Sequence, residues 1–289
     1  MSHILNAIYH LVSHTELEIQ EQSHGSNRMN DMGAGLEDYI KDLFADSFGL
    51  TAQEKMQRHE AVFLWSGNAT QPPDLILTSG DAIEIKKVES IAELQLNSSF
   101  PKQKVWADDE IINQHCRQAM LNNRIESSDL IYCIGQKDKK SKRLCSLWAV
   151  YGDVYAASRN VYEEIKNRIS NNLQNMEHTQ FEETREIGRL NKVDPLGISN
   201  LRIRGMWLMK HPKKFFAPLL GIENGHHRFE LVCIMKQDKY HSFSDTERAR
   251  LEALTETHHH FSIQHTYSPN PDNPAQRLPI TVIRYIIPA

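Results

Sequence analysis

Asp74, Glu84 and Lys86 are the residues of this 289-residue chain whose types and spacing could do chemistry together. Glu84 and Lys86 stand two apart in a segment running from Ala82 to Val88, whose alternation predicts a strand, so both side chains project from one face. Asp74 opens the apolar run Leu75 to Leu77, and Ser79, Gly80 and Asp81 supply a turn between the two segments. Pairing across that turn as a hairpin brings Asp74 close to Glu84. Two neighbouring carboxylates repel each other, and a hard divalent cation with oxygen ligands relieves the repulsion, which suits magnesium. Asp74, Glu84 and the backbone carbonyl of Ile85 are the candidate metal ligands. Such an ion would polarise a phosphodiester and acidify a water, with Lys86 orienting that water or stabilising the developing negative charge. Hydrolysis of a phosphodiester is therefore the expected reaction. The pattern is short, and a solvated strand face at Glu84 and Lys86, with Asp74 after Pro73 as turn chemistry, accounts for the same residues.

The elements that must position these residues can be read on either side of them. Leu36, Tyr39, Ile40, Leu43, Phe44 and Phe48 recur at helical spacing and predict an amphipathic helix over 33–48. Glu37 on that helix is a further candidate catalytic residue; an i, i+4 pair with Lys41 is the alternative. A strand is predicted over 61–65 and a helix around Ile111 to Met120. Strands are predicted over 129–135 and 144–152, then a helix marked by Val161, Ile165, Ile169 and Leu173. This order implies an α/β fold with a mixed central sheet flanked by helices. Past residue 185 the pattern is less regular. Residues 1–185 are read as a catalytic core and 186–289 as a further region integrated into the same domain.

Composition narrows the class. Apolar residues make up 40% of the chain, enough for a real core, and no run approaches the roughly 20 apolar residues of a membrane helix. The N-terminus lacks the order of a secretory signal, so a cytoplasmic protein with no membrane partner is expected. The four cysteines are widely spaced and contain no CxxC pair, which predicts reduced, mostly buried thiols. The net charge of -4 argues against DNA binding by overall basicity, but an acidic protein can grip DNA where its cations line one cleft.

Four segments together carry a resemblance: MGAGLEDYIKDLFA (32–45), PPDLILTSGDAIEIKKVES (72–90), LNSSFPK (96–102) and RLNKVDPLGISNLRIRGMW (189–207). In content and order they resemble the NgoPII-type type II restriction endonucleases, a family of the PD-(D/E)xK superfamily. The resemblance implies a restriction-endonuclease-like core, a DNA-recognition and dimer-completing role for 186–289, and a homodimer that cuts double-stranded DNA at a short palindrome, with GGCC the family's usual target and magnesium the cofactor. Asp74, Glu84 and Lys86 match the family's catalytic motif. Two other readings stay open: a repair or structure-specific DNA nuclease, and an inactive DNA-binding module built on the same core.

A G/C-rich target needs groups that meet guanine O6 and N7 together, and arginine does so. Arg202 and Arg204 are two apart on a predicted strand and are candidate DNA contacts; a buried ion pair of one of them with Asp194 is the alternative. Lys102 and Lys104 are candidate phosphate contacts, and Ser98 and Ser99 candidate backbone donors. The run His258 to His260 is expected to be solvated, the cationic stretch Lys137 to Arg143 to be an exposed hairpin tip, and Trp106, Trp148 and Trp207 to be core residues.

Overall fold

The structure, a computed structural model, describes residues 2–19, 28–67, 71–97, 99–138, 143–176, 180–184, 187–222, 225 and 227–289. The chain opens with α1 (Ile4–His14) and α2 (Arg28–Ala45), followed by α3 (Ala52–Val62). Of these, α2 is the predicted amphipathic helix: Leu36, Tyr39, Ile40, Leu43 and Phe44 are all buried. The third helix was not expected from the sequence because it buries no residue and so has no apolar stripe. It is started by a capping box, in which Thr51 and Glu54 each satisfy the other's backbone N–H.

The hairpin follows. After β1 (Phe63–Ser66), β2 (Leu75–Leu77) and β3 (Ala82–Val88) pair antiparallel, with Leu75 opposite Ile83 and Ile76 opposite Ala82. Gly80 makes the turn at φ 104°, a conformation that side chains with a Cβ rarely adopt. Next come β4 (Leu94–Asn97), β5 (Lys104–Trp106), α4 (Gln114–Asn122), β6 (Ser127–Lys137) and β7 (Leu144–Tyr151), then α5 (Arg159–Gln174). A smaller antiparallel sheet is made of β8 (Gln180–Glu182), β9 (Gly188–Asn191) and β10 (Leu201–Ile203), and β11 (Met206–Met209) pairs back with β4. The chain closes with α6 (Pro212–Leu220), β12 (His227–Lys236), α7 (Gln237–Ser242), α8 (Asp245–Glu252), α9 (Leu254–Thr257), β13 (Phe261–Pro269) and β14 (Arg277–Pro288).

The central sheet runs β1-β2-β3-β6-β7-β12-β14-β13, with β5 added against β6. It is mixed, since β3 runs parallel to β6 and β7 parallel to β12 while the other neighbours are antiparallel. The expected α/β architecture is the one found, and β12 to β14 carry the sheet well past residue 185. The cores of β6, β7 and β12 are buried along nearly their whole length, as strands covered on both faces should be. Helix α2 comes so close to β6 that a Cβ on Gly135 would lie 2.7 Å from a Leu36 methyl, so any larger residue there would force the buried Leu36 side chain to shift.

A partly buried ionic network pins the hairpin to α7. The Lys239 ammonium on α7 bonds Asp81 at 2.7 Å and Asp129 at 2.9 Å, and the Tyr151 hydroxyl donates to Asp81 at 2.8 Å. Asp81 stands immediately before β3, so the network fixes the strand that carries Glu84 and Lys86.

Candidate active site

The alternation of β3 divides its residues between two environments. Ile83 is fully buried and Ile85 packs against the core, while Glu84 and Lys86 turn to the other face. There they meet Asp74, which precedes β2, in a cleft of about 110 Å³ that is also lined by Gln71, Ser99 and Lys102. The three expected catalytic residues thus share one cavity.

Asp74 and Glu84 are seated differently. The Ile85 N–H donates to Asp74 Oδ2 at 2.6 Å, bridging the point where the β2–β3 ladder ends. In an extended strand the N–H and C=O of one residue point the same way, so the Ile85 carbonyl is also turned to the Asp74 side. Glu84 Oε1 holds the Lys86 ammonium at 2.7 Å, and Glu84 Oε2 is buried without a hydrogen-bond partner. A buried carboxylate oxygen left unpaired is costly unless something supplies positive charge to it.

The electrostatics point the same way. Burial, and then the Glu84 charge, push the Asp74 carboxyl up to about 7, against the pull of the Ile85 N–H and Lys86. Burial works against the Lys86 charge, but Glu84 and Asp74 more than offset it and hold the ammonium above its ordinary range. The cleft is therefore anion-rich and short of one cation. Among the described residues no cluster of three or more His, Cys, Asp or Glu side chains can hold a metal, so an ion here would take Asp74, Glu84 and a backbone oxygen such as that of Ile85. This all-oxygen donor set, with one buried carboxylate oxygen left without a partner, fits a hard divalent cation.

Residues outside the motif build the rest of the cleft. Tyr132 lies beside Glu84 in the parallel β3–β6 ladder. Its hydroxyl accepts from the Lys102 N–H at 2.7 Å and donates to the Lys102 carbonyl at 3.2 Å, clasping the loop that forms the wall of the cleft. Sequence reasoning missed Tyr132 because it sits in the middle of the apolar stretch DLIYCIG, where an aromatic residue reads as core.

The other expected site residues are distributed as follows. Glu37 is paired with Lys41 at 2.7 Å, the i, i+4 arrangement, and contributes to the cleft only a weak field at Asp74. Ser99 lines the cleft, and Ser98 lies outside the described residues. Lys102 lines it too but is buried, its ammonium 3.0 Å from Asp109 and 4.2 Å from the centre of the Phe100 ring, so its charge is used inside the fold. Lys104, on β5, is 3.0 Å from Asp129 and 42% exposed. Arg202 lies on β10, and Arg204 follows the end of that strand. Both arginines are exposed. Asp194 does not pair with either in a buried bridge: it is exposed, and its carboxylate accepts from the backbone N–H groups of Leu196, Ile198 and Ser199, organising its own loop.

Smaller expectations divide as well. Cys116, Cys133 and Cys233 are buried free thiols and Cys145 is half-buried. Trp148 is wholly buried, but Trp106 is 39% exposed and is not a core residue. His259 and His260 are exposed. Of the cationic stretch from Lys137 to Arg143, residues 139–142 lie outside the described residues, and Lys137 itself is buried at the end of β6 rather than solvated. Among the described residues no helix is long and apolar enough to cross a membrane.

Comparison with known proteins adds an independent finding. The model of the NgoPII restriction endonuclease family matches residues 2–267. The type II restriction enzyme NgoPII of Neisseria gonorrhoeae is 39% identical over 283 residues, covering 98% of this chain and 99% of that protein. No solved structure matches.

Proposed function

We propose that this chain, which belongs to the NgoPII restriction endonuclease family and is a type II site-specific deoxyribonuclease, cuts its DNA with magnesium seated on Asp74, Glu84 and the Ile85 carbonyl, with Lys86 completing the catalytic set. The observation that carries the reading is the convergence of these groups in one cleft, with Glu84 Oε2 buried and partnerless.

Magnesium, when bound there, would offset the repulsion between the carboxylates and polarise the scissile phosphate. The chain's own residues do the rest. Lys86 is held protonated, so at neutral pH it donates hydrogen bonds and positive charge to the phosphate or to the attacking water and does not serve as a base. Glu84, at 2.7 Å, fixes the direction of that ammonium. Ser99 lies at the cleft wall, within reach of a backbone phosphate, and the half-exposed Lys104, beside Asp129, and the exposed Arg204 are cations for the flanking phosphates. The target is a short palindrome of the GGCC type in double-stranded DNA, supported by the family. The enzyme works in the cytoplasm as a homodimer, because a palindrome presents two identical half-sites related by a twofold axis. The exposed stripe Val161, Ile165 and Ile169 on α5 is the apolar face a second copy would cover.

Digestion of a plasmid of known sequence tests this. Discrete fragments whose ends map to GGCC sites, formed with magnesium and not with calcium, are expected. Lys86→Ala should lower the cleavage rate by roughly 100- to 1,000-fold while duplex affinity in calcium stays within a few-fold. Unimpaired cleavage by this variant would remove the proposed catalytic centre.

A further inference from the structure

The small sheet β8-β9-β10 has two unlike faces. On one, Phe181 covers Gly188 so closely that a Cβ there would lie 2.3 Å from the ring, and Leu190 is buried at 2% exposure. Helix α5 packs against β8 and β9, where the Ser170 hydroxyl donates to the Ile187 carbonyl at 2.8 Å. Side chains alternate along each strand, so the opposite face takes the other residues. The register sets them in rows: Glu182 opposite Arg189 opposite Arg202, and beside it Gln180 opposite Asn191, with Asn200 next in line just before β10. Glu182, Arg189, Asn200 and Arg202 line one open depression of about 470 Å³.

Two features of this face call for a ligand. Arg189 and Arg202 are directly opposite on neighbouring strands, which sets two guanidinium-bearing side chains in one row of the exposed face. Their partners on the face are also arranged. Glu182 Oε2 accepts from the Asn191 amide at 3.0 Å and lies 3.7 Å from an Arg189 nitrogen, holding both side chains in place. The side chains so fixed are an arginine and an asparagine, types that meet purine edges bidentately in the major groove. The major groove, about 12 Å wide, admits a two-stranded β ribbon, and the two arginines stand on the neighbouring pair β9 and β10.

We infer that the polar face of β8-β9-β10 enters the major groove, with Arg189 and Arg202 as a cross-strand pair that reads two guanines and with Glu182 as the positioning residue for Arg189. The inference rests on sequence-specific cleavage of DNA and adds to it the surface that confers the specificity. Lysine at either position keeps the charge but loses the two-pronged donor, which separates base reading from phosphate attraction.

The test is duplex binding in calcium, on the wild-type target mapped from its plasmid fragments and on duplexes altered by one base pair, with Arg189→Lys and Arg202→Lys. Each variant should keep the melting temperature, the affinity for random duplex and its salt dependence. Each should lose discrimination at one G·C pair by roughly 5- to 150-fold. Discrimination equal to wild type in either variant overturns the pair as a reading unit. So does a uniform loss on all duplexes with a salt slope reduced by about one, the mark of a phosphate contact. A wild-type enzyme that produces no discrete fragments and binds all duplexes alike would overturn both the nuclease reading and the ribbon as a reader, whereas discrete wild-type fragments with unchanged discrimination in the variants overturn the ribbon alone.

Discussion

The carboxyl of Asp74 carries the most consequential electrostatics in the molecule. In the unfolded chain it loses its proton near 3.8, and in the folded protein, where burial and Glu84 act on it, near 7. Between those values the folded state holds a proton that the unfolded state has released, so the metal-free protein should lose stability as pH rises across that window. Asp74→Asn should abolish this slope and raise the melting temperature of the metal-free protein at pH 8, by up to about 4 kcal/mol in free energy as an upper bound. The same proton competes with a cation. Divalent affinity of the wild type should rise about tenfold per pH unit below 7 and level off above it, as calorimetric titration would show. Affinity independent of pH between 5 and 7 would mean that Asp74 is not a ligand.

At the level of elements, local pattern was legible where a face is half-buried. Helix α2 and strand β3 were visible because apolar residues recur at the period of each, while β2, β6 and β7 showed as continuous apolar runs of strands covered on both faces. Alternation on β3 alone predicted that Glu84 and Lys86 would face one way. What could not be read is what lies opposite. The clasp of Tyr132 on Lys102 joins residues 30 apart in the chain and leaves no periodic trace. Lys102 looked like a surface cation because a buried lysine is visible only once its partner, Asp109, is located. The outward direction of Val161, Ile165 and Ile169 was equally hidden, since an apolar stripe predicts a helix without saying whether the chain itself covers it. Tyr132→Phe tests the clasp: it strands the Lys102 N–H, should cost about 1–3 kcal/mol in urea denaturation, and should slow cleavage through loosening of the loop that carries Ser99. Full stability in this variant would show that the loop is held by other contacts.

At the scale of the whole molecule, a single copy leaves the α5 stripe exposed, with Val161 and Ile165 each at 44%. Ile165→Glu should shift the protein from dimer to monomer in light scattering and reduce cleavage of both strands together, while its melting temperature stays within a few degrees because the site is already solvated in the monomer. An unchanged dimer would place the interface elsewhere. The pairing of β4 with β11 reaches furthest into the design of the enzyme. Leu96, in the cleft wall, stands opposite Trp207, whose ring meets Phe100 and Tyr162, and Trp207 follows the β9–β10 ribbon by only a few residues. Recognition and chemistry are thus rooted in one joint. Chimeras that graft a relative's segment 180–205 alone would carry a foreign reader on a native hinge, so retargeting such an enzyme means exchanging both strands of the joint at once.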